Sequence, residues 1–175
     1  MIDPNSVQHI NVKIFAAAGT VMPEEAIPVF HRWIKDGVCP EMLIDVAEYR
    51  HVPAGPGIML IALEANYSLD NRENRLGLLY NRKAALEGTF QSRLAQAHKA
   101  ALEACDRLEK DAAFGGKLKF NRSALEVFVN DRLLAPNNDE TWQALEPELK
   151  KYFPGARIQR VGEPRDLFRV GVAAA

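Results

Sequence analysis

Ile10-Asn11-Val12-Lys13-Ile14-Phe15 alternates aliphatic and polar residues: Ile10, Val12 and Ile14 fall on one side, Asn11 and Lys13 on the other. Successive side chains of a strand point to opposite faces, so the stretch reads as a β-strand half-buried against a core. Gly19 and Thr20 break it. Glu24 and Glu25 then favour a helix start through the dipole, and Pro28 suits the first turn, where a missing N–H costs nothing. Ile27, Phe30, His31 and Ile34 recur at helical spacing, and Gly37 ends the helix. Strands are expected at Met42 to Ala47 and Ile58 to Leu63, and the unbroken apolar run of the second predicts burial on both faces. Between them, Pro53-Ala54-Gly55-Pro56-Gly57 is a turn by composition. A polar stretch, Ser68 to Arg75, leads to a short strand at Leu76 to Tyr80.

Further along, Thr89 is placed as the N-cap of a helix of about 24 residues, roughly 36 Å long. Leu94, His98, Ala101, Cys105 and Leu108 form its apolar stripe, and Gly115-Gly116 stops it. Strands follow at Leu118 to Phe120 and Leu125 to Val129. Asn137 with Glu140 resembles a capping box. It precedes a helical pattern through Trp142, Leu145, Leu149, Tyr152 and Phe153 that Pro147 kinks or restarts. The last strands are expected at Arg157 to Val161 and Leu167 to Val172.

The order β-α-β-β therefore occurs at both ends of the chain. Pro28-x-Phe30-x-x-Trp33-Ile34 aligns with Pro147-x-Leu149-x-x-Tyr152-Phe153 without a gap. These features predict one α+β domain over residues 1–175. Two βαββ units, 8–67 and 124–173, form a candidate internal repeat, joined by 76–120. The expected architecture is ferredoxin-like, a mainly antiparallel sheet with helices on one face and a long central helix. The uncovered sheet face would call for a cover, either the long helix or a second copy of the chain, and a homodimer is expected on that ground.

Composition narrows the function classes. Lys plus Arg is 22 and Asp plus Glu 23, a formal net charge of −1, which lacks the electrostatic footprint of a general nucleic-acid binder. An apolar fraction of 47% is that of a globular chain. No apolar run approaches the ~20 residues of a membrane helix. Met1 to Asn5 has no signal-peptide pattern. Cys39 and Cys105 form neither a disulfide framework nor a zinc motif. A soluble, cytoplasmic protein without metal or cofactor is expected.

Chemistry-bearing residues concentrate between 48 and 75. Glu48-Tyr49-Arg50-His51 precedes the turn and Glu64-Ala65-Asn66-Tyr67 follows the second strand, which places both groups near the turn if the strands pair. His51, Glu48, Tyr49 and Glu64 are the candidate acid–base residues, since histidine titrates near neutrality and carboxylates and phenols orient or donate. Asn66, Tyr67, Arg72 and Arg75 are the candidate ligand-binding residues. Two functions fit: a binding protein for a small ligand or a partner, and a cofactor-independent enzyme acting on a small organic substrate at this hairpin.

Overall fold

The computed structural model describes residues 2–17, 21–52 and 55–174. The break expected at Gly19 and Thr20 and the Pro53-Ala54 half of the turn lie outside them. The elements run β1 (Ile10–Ala16), α1 (Ala26–Asp36), β2 (Leu43–Glu48), β3 (Ile58–Ala62), β4 (Ala65–Asp70) and β5 (Gly77–Arg82). There follow α2 (Phe90–Lys110), β6 (Phe120–Val129), α3 (Asp139–Tyr152), β7 (Arg157–Val161) and β8 (Phe168–Ala173). Among the described residues, eight strands form one sheet in the order β2-β3-β4-β5-β1-β6-β8-β7, with every pairing antiparallel.

The alternation of β1 selects the core face. Ile10, Val12 and Ile14 are at most 2% exposed and join one apolar cluster with Leu60, Leu69, Leu78 and Val127 of other strands. Phe30 and Trp33 of α1, Leu94 and Ala101 of α2, and Leu145 and Leu149 of α3 belong to the same cluster. All three helices thus cover one face of the sheet. Thr89 caps α2 as its sequence position predicts, accepting from the Ser92 amide while the Ser92 hydroxyl accepts from the Thr89 N–H. Among the described residues, no helix is long and apolar enough to cross a membrane.

The α+β class and the antiparallel sheet stand, but the sheet is larger than a ferredoxin-like layout implies. Between β3 and β1 lie two strands, β4 and β5, so the first half is β-α followed by a four-strand meander whose last strand pairs with β1. The second half repeats that rule with a two-strand meander, β8 pairing with β6. Residues 65–70 form a strand because Ala65, Tyr67 and Leu69 face the helices while Asn66, Ser68 and Asp70 take the other side.

Local corrections have the same origin in tertiary packing. β3 alternates buried and half-buried residues instead of being buried on both faces, and Leu63 lies beyond it, exposed. Residues 118–129 carry one strand from Phe120 instead of two. His31 is exposed, because Ala26, Val29, Phe30 and Trp33 form the buried stripe of α1. Asn138, not Asn137, caps α3, and the helix runs through Pro147 unbroken.

Gly57 closes the β2–β3 hairpin: its carbonyl accepts from the Tyr49 amide at 2.7 Å, and its φ is +68°. A Cβ there would collide with the Leu69 carbonyl oxygen, whereas one at Gly155 (φ +78°) would meet nothing within 4 Å. Gly57→Ala is expected to lower stability by at least ~2 kcal/mol and Gly155→Ala by about 1 kcal/mol, read as shifts of the urea midpoint at unchanged m-value.

Candidate functional site

The sheet face away from the helices carries buried charge. On β1 this side presents Asn11, Lys13 and Phe15, and Asn11 and Lys13 are each only 4% exposed. Lys13 Nζ donates to Asp70 Oδ1 on β4 at 2.5 Å, although β5 lies between the two strands. Gly77 makes that reach possible. On β5 it stands opposite Phe15 on one side and Asp70 on the other, and a Cβ there would sit 3.0 Å from Lys13 Cε and 2.7 Å from the Ile14 carbonyl oxygen. With hydrogen in place of a side chain, the lysine stem lies across the strand.

Asp70 is 1% exposed and also accepts from Arg72, at 2.9 Å from Nε and 3.2 Å from the backbone N–H. Such saturation is what a buried carboxylate requires, since desolvation alone costs several kcal/mol. Burial pulls the Lys13 pKa below its usual value, opposed by the negative charges of Asp70 and Glu126.

Glu126, on β6, is the second buried acid, 6% exposed. It accepts from Arg75 Nη1 at 2.9 Å, and Arg169 Nη1 of β8 lies 3.6 Å from its other oxygen. Arg169 also donates to Glu73 at 2.9 Å. The Arg75 guanidinium stacks 3.8 Å above the Phe15 ring, and that of Arg169 lies 5.9 Å from Phe128. The β4–β5 connection, together with Arg132, Asp166 and Leu167, walls these side chains into a cavity of about 430 Å3. That volume suits a small molecule. Five basic and four acidic side chains line it, so it is slightly cationic. Asn81 Oδ1 and Arg169 Nε, on two of its lining residues, are buried without a protein partner. The arrangement can bind a planar anion through guanidinium forks and can move a proton between Lys13 and Asp70.

No protein-family model matches the chain, and no curated protein matches it.

Of the sequence-predicted residues, Arg72 and Arg75 line this cavity. Asn66 is on the same sheet face, opposite Asn81, with its Oδ1 buried and lacking a protein partner. Tyr67 points the other way, into the core, and donates to Glu41 at 2.7 Å. The hairpin residues are not brought together. Glu48 pairs with Ile58 at the turn end, whereas Glu64 follows Ala62 at the far end of β3, a strand rise of roughly 13 Å away. Glu48 pairs with Arg50, which also reaches Glu24 at 2.8 Å. Tyr49 and His51 are exposed, and Glu64 accepts from the Met42 amide at 3.0 Å. Lys13, Asp70, Glu126 and Arg169 were not among the candidates. Their signal was present as a charge at the polar phase of a strand alternation, which is ordinarily solvated.

Two other polar groupings lie on the helix side. Glu41, 7% exposed, accepts from Tyr67 and from Tyr80, whose hydroxyl also accepts from Gln96 at 2.8 Å. Burial raises both phenols, that of Tyr80 to about 12, and raises the nearby Cys39 thiol to about 11. These groups stay protonated at neutral pH, as a structural network of phenol donors on one carboxylate requires. The second, between α2, α3 and the β6–β8 end, is an aromatic groove of about 450 Å3 where His98 Nδ1 lies 3.2 Å from the Tyr152 hydroxyl. Among the described residues, no group of three or more His, Cys, Asp or Glu is placed to hold a metal ion.

Lys13→Met is expected to cost about 3–5 kcal/mol because it strands Asp70 without its main partner, and adding Asp70→Leu should recover most of that loss. Additive losses in denaturant melts of the double-mutant cycle would refute the coupling. Burial lowers the His98 pKa, so below its unfolded value of 6.5 the unfolded chain takes up the proton more readily than the folded one. Stability should therefore fall as pH drops from 7 to 5, and His98→Phe should flatten that part of the profile in urea titrations.

Proposed function

We propose that this protein binds a small organic anion in the cavity on the open sheet face. The supporting observation is the pair Arg75 and Arg169, held by one buried glutamate. Arg75 spends one N–H on Glu126 and lies on Phe15, and Arg169 keeps a buried Nε without a protein partner. A guanidinium has five N–H donors, so each fork retains donors for a carboxylate or phosphate after its acid is satisfied. The acids serve to aim the forks. Phe15 and Phe128 supply flat apolar surface, and Asn11, Asn81 and Asn130 supply neutral donors and acceptors in the lining of the same cavity.

The polar lining also removes the reason for covering this face with an apolar partner. A dimer would then form at the sheet edge, where β2 is outermost and Met42, Ile44 and Leu63 are exposed. Two cysteines without a disulfide suit a reducing, cytoplasmic setting.

Calorimetric titration of the protein with a panel of small carboxylates and phosphate monoesters should find at least one ligand. Arg75→Ala and Arg169→Ala should each weaken that ligand by about tenfold or more, corresponding to ~1.4 kcal/mol. Unchanged affinity in both variants, or a panel without a binder, would remove the proposal.

A further inference from the structure

We propose that the cavity takes oxo acids, and that Lys13 captures their carbonyl carbon as an imine while Arg75 and Arg169 hold the carboxylate. This inference rests on the anion-binding function proposed above and names its ligand class.

The geometry puts an amine, its proton acceptor and two carboxylate-binding forks around one small cavity. Among the described residues, Lys13 is the only lysine lining it, on its floor and 5% exposed at the side chain. Nζ is anchored to Asp70 at 2.5 Å, and the groups that act on its charge are Asp70, Glu126 and Arg72, with the Phe15 ring 5.4 Å away. A lysine held in a dry site becomes a nucleophile once a neighbour takes its proton, and burial already weakens its hold on that proton. The ion pair also has a device of its own. Gly77 leaves the space through which the lysine stem reaches Asp70, where a Cβ would meet Cε at 3.0 Å. The amine is thereby held at one point of the cavity.

The step balances without a co-reactant. Asp70 takes one proton from the Lys13 ammonium, and the freed amine pair attacks the carbonyl carbon while the C=O π pair moves to oxygen. Transfer of an amine proton to that oxygen gives a carbinolamine. Its C–O bond then breaks as Asp70 returns its proton to the departing hydroxyl, releasing water and leaving a protonated imine. Nothing is oxidised or reduced.

The test uses the full chain, pyruvate as the probe and cyanoborohydride, which delivers hydride to an imine carbon and fixes it as a stable amine. Peptide mass mapping of wild-type protein should find the adduct on the Lys13 peptide. Excess lactate, which has the carboxylate but no carbonyl, should suppress it. Lys13→Arg should lose the adduct and Lys99→Arg should keep it, Lys99 being a surface residue with a 77% exposed side chain. Labelling confined to exposed lysines, with lactate still binding in calorimetry, overturns the imine and leaves the anion site standing. Labelling confined to exposed lysines with no calorimetric binding of either acid overturns the oxo-acid assignment, and if the wider panel of carboxylates and phosphate monoesters has no binder either, the anion site falls with it. The wild-type map decides the matter even if Lys13→Arg does not fold.

Discussion

The contact on which the polar half of this molecule depends is the ion pair between Lys13 and Asp70, formed across an intervening strand. Two opposite charges at 2.5 Å and nearly free of solvent have lost most of their hydration. They are held only because each is also served by its surroundings: Asp70 by Arg72, and Lys13 by the negative charge of Glu126. The pair fixes β1 and β4 relative to one another with β5 between them. It also sets the depth of the cavity floor. Glu126 repeats the scheme one strand further on, gathering Arg75 from the β4–β5 connection and Arg169 from β8.

One sheet thus carries two chemically opposite faces. Toward the helices, Ile10, Val12 and Ile14 merge into a continuous apolar cluster whose removal from water supplies the main driving force of folding. On the other side, Asn11, Lys13, Ser68, Asp70 and Glu126 are nearly as inaccessible, yet every one is polar. Buried polar groups specify geometry more than they add stability, since each demands a partner in the right place. That distinction separates this face from an ordinary solvated one. It also explains why the arginines above it are aimed and not free to wander.

Much of the architecture was legible in the chain. The period-2 pattern of 10–15 identified both the strand and the residues of its two faces. The Thr89 cap, the start of the long helix and the hairpin around Gly57 followed from local rules of the same kind, whereas that helix ends at Lys110, short of the glycine pair at 115–116. The strand at 65–70 was equally present, as Ala65, Tyr67 and Leu69 alternating with Asn66, Ser68 and Asp70, but its polar phase disguised it as a loop. The candidate site was legible in part: Arg72 and Arg75 were marked by local density of polar residues. Glu126, which holds Arg75, lies 51 positions from it, and Arg169 lies 96 positions from its partner Glu73. No local pattern links residues so far apart.

By itself, the sequence determined the α+β class, the phase of β1, and the Thr89 start of α2, because these are set by steric and hydrogen-bonding rules acting within a few residues. Only the tertiary structure decided that Glu48 and Glu64 stand at opposite ends of β3, that Tyr67 turns into the core, and that Lys13 meets Asp70. Strand order and register govern those facts, and a shift of one residue in register would reverse which side chains face the cavity. The polar phase of β1 therefore reads as solvent-facing in isolation. It becomes the floor of a site when β4, β5, β6 and β8 bring their own charges to the same side.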